Sequence, residues 1–283
     1  MILIKRSNDL SNHLDIQRKQ GRKLNFVPTM GALHPGHLSL VRGAKTNSDL
    51  CICSIFVNPT QFNDPADFKK YPVTIESDIM LLETTGCDVL FLPTVTGIYP
   101  NGTNQAPHYD LGYLETVLEG KFRPGHFQGV CMVVDRLLEL VMPDSLHIGQ
   151  KDYQQCMVIK KLVSLVGLEN ELKVVISPTL REPDGLAMSS RNTRLAEDDR
   201  KKAAMIFESL NFIKKKIKKG SLDELKKQAV QKLVENGFKV DYVEIADAES
   251  LQLVDYWDGK QKLVALAAAF LSGVRLIDNV LLS

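Results

Sequence analysis

A chain of 283 residues is long enough for one large domain or two ordinary ones with a substantial apolar core. Its 35 lysines and arginines nearly balance 34 aspartates and glutamates, for a formal net charge of +1, so no global field attracts nucleic acid or an anionic membrane. No apolar run approaches the ~18 residues of a membrane span, the N-terminus lacks a signal-peptide pattern, and Cys51, Cys53, Cys87, Cys131 and Cys156 include no Cys-x-x-Cys pair, so the expectation is a cytoplasmic protein with buried thiols and neither disulfides nor a zinc site.

In chain order, Leu24 to Val27 is a short apolar run, and Leu38, Leu40, Val41 and Ala44 can share the buried side of a helix beyond it. Between them Pro28 to His37 reads P-T-M-G-A-L-H-P-G-H, a strand-to-helix turn. A helix start carries unpaired N–H groups and partial positive charge, a seat for phosphate. Gly31 and Gly36 would let the backbone approach such a ligand, while His34 and His37 bring two imidazoles to the turn. Taken alone, His-x-Gly-His fits a Gly/Pro-rich turn with two incidental histidines equally well.

Leu50 to Val57 is a nearly continuous apolar run of strand length, as in a strand buried on both faces. It runs into Asn58 to Pro65, where two prolines predict a loop without regular structure. A helix is expected after Thr74, with Ile75, Ile79 and Leu82 on its inner side and Gly86 as its stop, then a strand from Val89 to Leu92. Residues 93–125 are weakly patterned, with a short helix expected near Leu114 to Leu118. Val130, Val133, Val134, Leu137, Leu138 and Val141 form the clearest amphipathic helix, ended by Pro143. A strand from Ser145 to Ile148, a helix after Lys151 and a strand from Leu172 to Ile176 complete the series.

Such alternation argues for an α/β fold, a Rossmann-like doubly wound parallel sheet with ligands beyond the carboxyl ends of its strands. The turn at 28–37, the loop at 58–65 and the segment from Gly149 to Asp152 all fall at such ends and should converge. The pattern changes after Pro178, which places a domain boundary there: residues 1–177 form the first domain and 178–283 a smaller α+β domain. Residues 179–192 read as a linker or mobile loop. Helices follow from Glu197 to Lys218 and from Leu222 to Glu235, the second announced by a capping box from Ser221 to Glu224, and then three strands near Val240, Leu263 and Val274. The lysines at 214–219 close a helix that Glu197, Asp198 and Asp199 open, which suits the helix dipole and a solvated face better than nucleic-acid binding.

No Walker A loop and no Gly-x-Gly-x-x-Gly after a strand is present, which leaves the His-x-Gly-His turn as the phosphate site. Four further motifs follow it in order: V-N-P-T-Q-F at 57–62, R-P-G-H-F at 123–127, G-Q-K-D-Y-Q-Q at 149–155 and R-E-P-D-G-L-A-M-S-S-R-N at 181–192. On these five motifs the chain resembles the pantothenate synthetases, pantoate-β-alanine ligases of the HIGH-type nucleotidyltransferase superfamily. The resemblance implies condensation of (R)-pantoate with β-alanine, with ATP cleaved to AMP and pyrophosphate through a pantoyl adenylate, by a homodimer using Mg2+ with ATP.

Carried over residue by residue, the resemblance makes His37, His34 and Lys151 catalytic. It places Met30, Gly31, Gly149, Asp152, Leu180, Met188, Ser189, Ser190 and Arg191 with them around ATP, and gives pantoate and β-alanine to Gln61 and Gln155. Asn58, Arg123 and His126 would belong to the substrate loop, His126 either catalytic or a brace. Gln128 stands where many relatives carry arginine, and Asp135-Arg136 where they carry alanine-lysine. The magnesium ligands stay open, because the acidic stretch here reads Thr74-Ile-Glu-Ser-Asp78. Two alternatives remain at this stage: a nucleotidyltransferase with the same turn that stops at the nucleotidylated product, and a nucleotide-binding regulator without turnover.

Overall fold

A computed structural model of the chain describes residues 1–45, 49–103 and 107–282. It divides into two compact units, one of residues 1–150 and 158–178, the other of residues 151–157 and 179 onward. The short segment from Lys151 to Met157 thus groups with the second unit, although it lies between strands of the first.

The elements of the first series are β1 (Ile2–Ile4), α1 (Ser7–Lys19), β2 (Leu24–Thr29), α2 (Pro35–Ala44), β3 (Leu50–Ile55), α3 (Pro65–Lys69) and α4 (Ile75–Thr84). After them come β4 (Val89–Phe91), α5 (Val95–Ile98), α6 (Leu118–Phe122), α7 (His126–Val141), β5 (Ser145–Gly149), α8 (Tyr153–Leu165) and β6 (Lys173–Ser177). The six strands pair in parallel in the order β1-β4-β3-β2-β5-β6, the doubly wound sheet that the alternation predicts. The chain winds from β2 outward through β3 and β4, then returns to the other side of β2 for β5 and β6. The direction of winding therefore reverses between β2 and β5, where ligands sit in such sheets.

Burial explains the pattern. Every residue of β3 is buried, as its unbroken apolar run requires. Cys51, Cys53 and Ile55 face one side, where Leu38, Leu40, Val41 and Ala44 of α2 and Leu82 of α4 cover them. The alternate residues Phe26 and Ile52 are wholly buried on the opposite side, where α7 packs against α1 and β2. Helix α7 buries all six positions of its predicted apolar stripe and ends at Met142, whose φ of 41° breaks the helix just before Pro143. All five cysteines are buried, and burial pushes the Cys131 thiol up to about 12.

Several local expectations need correction. Pro59 and Pro65 do not preclude structure: each opens a short helix at its first position, where a missing N–H costs nothing, a 3-10 turn over Pro59–Gln61 and then α3. The short helix expected near 114–118 is a 3-10 turn over Gly112–Glu115, and the α-helical turn comes later, as α6. β1 and α1 carried no strand or helix expectation, since a three-residue edge strand leaves almost no periodicity to read.

The departures Gln128, Asp135 and Arg136 hold the excursion between β4 and α7. The Gln128 amide accepts from Tyr109 N (3.0 Å) and donates to Tyr109 O (2.9 Å) and the Glu115 carboxylate (3.0 Å), Asp135 accepts the Tyr109 hydroxyl (2.7 Å), and Arg136 Nε donates to Ile98 O (3.1 Å). Burial pushes the Asp135 carboxyl and the Tyr109 hydroxyl up, so the proton stays on the tyrosine.

The second unit holds α9 (Glu197–Ala203), α10 (Met205–Lys216), β7 (Gly220–Ser221), α11 (Asp223–Glu235), β8 (Lys239–Asp247), β9 (Tyr256–Trp257), β10 (Leu263–Leu271) and β11 (Val274–Leu281). Strands β11, β10 and β8 form an antiparallel sheet in that order, and β7 pairs with β9. Ala265, Ala267 and Ala269 line its core with Leu210, Ile213 and Leu233, small residues that let helices approach a sheet. The single helix expected from Glu197 to Lys218 is divided at Ala204, whose φ of −61° and ψ of −19° are closer to a 3-10 turn. The capping box at Ser221 is not formed. The helix takes Leu222 as its N-cap, one residue later than expected, and the Ser221 hydroxyl accepts from Asp223 N (3.4 Å).

Candidate active site

β2 ends at Thr29, and the chain turns into α2 through two residues in left-handed conformation, Gly31 (φ 81°) and Ala32 (φ 47°). Both oxygens of the Asp78 carboxylate, from α4, receive this turn: Ala32 N donates to Oδ2 (2.9 Å), Leu33 N to Oδ1 (2.8 Å), and the Thr74 hydroxyl also donates to Oδ1 (3.1 Å). Asp78 is only 1 % exposed. A Cβ at residue 31 would lie 3.1 Å from Asp78 Oδ2 and 3.0 Å from Ile55, so the glycine serves both the positive φ and the approach of the carboxylate.

The two histidines then cap α2. His34 is the N-cap, with Pro35 in the first helical position, and its Nδ1 accepts from Gly36 N (3.2 Å). The Nδ1 of His37 accepts from His34 N (3.4 Å), which closes a reciprocal capping box. Their rings lie 4.0 Å apart. Since Nδ1 is an acceptor in each, each neutral ring carries its proton on Nε2.

The loop after β3 brings Gln61 beside this turn, with its Nε2 3.0 Å from Met30 Sδ. Asn58, 1 % exposed, organises that loop. Its Oδ1 accepts from the Tyr99 hydroxyl (2.9 Å), Thr60 N (3.4 Å) and the Thr60 hydroxyl (3.0 Å), and its Nδ2 donates to Gln61 Oε1 (3.2 Å) and Gly129 O (3.0 Å). The polarity of the backbone partners fixes the Asn58 amide, and through it the carbonyl end of Gln61. Burial pushes the Tyr99 hydroxyl up to about 12, which keeps it a donor. His126 Nδ1 lies 2.7 Å from Gln61 O and its Nε2 3.1 Å from Arg123, so the matched R-P-G-H-F segment braces the same loop.

Gly129 lets α7 meet that loop backbone to backbone, for any Cβ there would overlap the Thr60 carbonyl. Gly129→Ala is therefore expected to destabilise the protein by about 1–3 kcal/mol, the scale of overpacking, and, if the Gln61 loop binds substrate as the resemblance implies, to raise a KM through the displaced loop. Urea denaturation and steady-state kinetics measure both. Gly149 closes β5 beside α2, where a Cβ would be 4.0 Å from Leu40.

The other expected residues belong to the second unit. Lys151 Nζ lies 3.8 Å from Asp152 Oδ1, and the Lys151 carbonyl accepts from Asn279 Nδ2 (2.9 Å). Gln155 is in the first turn of α8, whose Tyr153 hydroxyl donates to Ala248 O (2.7 Å). The segment at 179–192 is a pinned turn: Arg181 bridges to Ala187, Met188 N donates to Leu180 O (3.0 Å), and Ser189 Oγ accepts from Arg191 N (3.3 Å) to start a 3-10 turn from Ser190. Arg181 anchors it with a two-pronged ion pair to Asp278 of β11 (2.6 and 3.0 Å), further hydrogen bonds to Asn279 O (3.1 Å) and Gly185 O (3.0 Å), and a stack on the Phe207 ring (3.8 Å). Burial pushes the Asp278 carboxyl up, opposed by the guanidinium. Asp278 and Asn279 thus hold the 179–192 turn and Lys151 from consecutive positions of one strand.

Asp78, Tyr99, Gly129, Asp278 and Asn279 carried no expectation from the sequence. Each meets partners far along the chain, at separations that no local motif records, and only the acidic stretch ending at Asp78 carries a reading from sequence, as an open question about metal. Among the described residues no group of three or more His, Cys, Asp or Glu could hold a metal ion.

The sequence profile of the pantoate-beta-alanine ligase family matches residues 2–281. A pantothenate synthetase from Cytophaga hutchinsonii is 43% identical over 285 residues, covering 100% of this chain and 99% of the relative. One from Acetivibrio thermocellus is 43% identical over 284 residues, with 99% of each covered. The crystal structure of pantothenate synthetase from Thermus thermophilus superposes with a TM-score of 0.89 at 37% identity, covering 99% of both chains. That of a pantoate-beta-alanine ligase from Francisella tularensis, complexed with a beta-gamma ATP and beta-alanine, gives 0.81 at 38% identity over 99% of this chain and 97% of that one.

Proposed function

The chain belongs to the pantoate-β-alanine ligase family, and on that premise we propose how its own residues carry the reaction. The enzyme condenses (R)-pantoate with β-alanine, cleaving ATP to AMP and pyrophosphate, by way of pantoyl adenylate. A pantoate carboxylate oxygen attacks the α-phosphorus of ATP, forming the acyl phosphate bond as the bond to pyrophosphate breaks. The carboxylate is already ionised near neutral pH, so no general base is needed. The demand is for positioning and for charge stabilisation on the phosphates.

His34 and His37 meet those phosphates at the start of α2. Both Nδ1 atoms are turned to backbone N–H groups, so Nε2–H is the hydrogen that each imidazole offers to a phosphate oxygen. Lys151 brings a full positive charge, Ser189, Ser190 and Arg191 close over the triphosphate, and Met30, Gly31, Gly149, Asp152, Leu180 and Met188 line the nucleotide. Gln61 and Gln155 hold pantoate, with Asn58, Arg123 and His126 bracing the Gln61 loop. In the second step the neutral amine of β-alanine attacks the acyl carbon, AMP departs with the bonding pair, and the nitrogen gives up one proton to solvent as the amide forms.

Mg2+ accompanies ATP as phosphate counter-charge. The carboxylate of Asp78 is engaged by two backbone N–H groups and a hydroxyl, and the ion would supply counter-charge to the phosphates of bound ATP. The enzyme works as a homodimer in the cytoplasm.

One observation carries this reading: two imidazoles in a reciprocal cap at a helix N-terminus, at the point where the sheet's winding reverses. Pantoate-dependent exchange of labelled pyrophosphate into ATP, followed by AMP and pantothenate release on adding β-alanine, is the expected result. Exchange without AMP release would instead indicate a nucleotidyltransferase, and ATP binding without exchange a regulator.

A further inference from the structure

The N–H groups of Ala32 and Leu33 point to one side of their turn, the arrangement in which successive backbone amides bind an anion. Here the anion is the chain's own: Asp78 receives both at 2.9 and 2.8 Å from a position 1 % exposed to solvent. These two amides are committed to the carboxylate, and Gly36 N, His37 N and Leu38 N are turned to His34, so what α2 presents to a phosphate is its dipole and the two imidazole rings. Ala32 needs the help, because at φ 47° its Cβ crowds the following carbonyl, a conformation that side-chain-bearing residues disfavour. Thr74, at the N-cap of α4, donates its hydroxyl to Asp78 Oδ1 (3.1 Å) and so orients the carboxylate from its own helix.

We infer that Asp78 is a positioning residue for the adenylation step: it holds the strained Gly31-Ala32 turn closed and thereby sets His34 and His37 at the start of α2. The inference rests on the reading that this turn receives the phosphates of ATP. Asp78 touches no substrate and acts through the turn. Residue 31 is glycine for the same reason, since a Cβ there would press on Asp78 Oδ2 at 3.1 Å.

Asp78→Asn keeps the shape but replaces one acceptor by a donor that faces an N–H. Its KM for ATP in pyrophosphate exchange should rise about tenfold, the equivalent of one charge-assisted hydrogen bond, while the KM for pantoate stays within about twofold. Ala32→Gly, added to the same chain, makes the left-handed turn accessible without the clamp and should recover at least about threefold of that loss. A purely structural aspartate would lower the thermal midpoint with both KM values unmoved or moved together and no recovery by glycine, and that outcome overturns the inference. Should Asp78→Asn fail to fold, Thr74→Val removes only the supporting hydroxyl. A KM for ATP raised about threefold alone supports the role, and unchanged kinetics rejects it. Wild-type protein without exchange would remove the functional reading itself, whereas wild-type exchange with an unaltered Asp78→Asn variant removes this inference alone.

Discussion

Lys151→Ala and His37→Ala are each expected to slow pantoate-dependent exchange of pyrophosphate into ATP by about 10²–10³, the scale for losing one preorganised electrostatic contact at a reacting centre. Both groups are held before substrate arrives. The Lys151 carbonyl is tied to Asn279 at 2.9 Å, and the His37 ring is tied through Nδ1 to His34 N at 3.4 Å. Alanine at 151 removes the charge and leaves the backbone anchor to Asn279 in place, whereas alanine at 37 removes the Nε2–H together with the Nδ1 cap on His34 N, so His37→Ala should also lower stability by about 1 kcal/mol, the usual cost of a lost helix cap. Lys151→Arg is not a conservative rescue, because a planar fork cannot replace a compact ammonium at the same distance. Exchange rates unchanged in both alanine variants would refute the assignments.

Arg181→Met carries the largest expected effect on stability. Asp278 lies in the second unit's strand β11 with no side-chain exposure, and Arg181 is its ion-pair partner at 2.6 Å. Methionine preserves much of the packing against Phe207 but leaves a buried carboxylate unpaired, for which about 3–5 kcal/mol is the usual loss. The pH dependence has a definite sign. Burial already pushes the Asp278 carboxyl above its ordinary value, and loss of the guanidinium removes what opposes that shift. The folded variant then binds a proton more tightly than the unfolded chain, so its stability falls as pH rises through the raised pKa. Its deficit against wild type should be smallest in acid and grow toward neutral pH. Urea denaturation at several pH values reads this, and a deficit independent of pH would show that the carboxyl is not the cause.

The fold was largely legible because burial leaves its mark on composition. A strand buried on both faces needs an unbroken apolar run, and L-C-I-C-S-I is one; a helix packed on one side repeats at three and four, and Val130 to Val141 does so. Less legible were features that draw on few residues. A three-residue edge strand such as β1 has no period, and the Ser-x-x-Glu spacing at 221–224 does not show that the helix starts one residue later, with Leu222 at its N-cap.

The turn from Pro28 to His37 marks the boundary between what residue order determined and what tertiary structure decided. Sequence alone determined that a strand ends there, that a helix begins at a proline preceded by histidine, and that His34 and His37 share that helix start, because these depend on neighbours within a few positions. It equally determined the family, through five motifs whose spacing along the chain suffices to recognise them. Tertiary structure decided what holds those motifs in place. Asp78 reaches the turn from 45 residues away, Asn279 reaches Lys151 across 128, and Asp278 reaches Arg181 across 97. Such partners leave no local signal: a buried hydrogen bond needs only complementary atoms meeting in space, and the sheet and its crossovers, rather than the order of residues, bring them together.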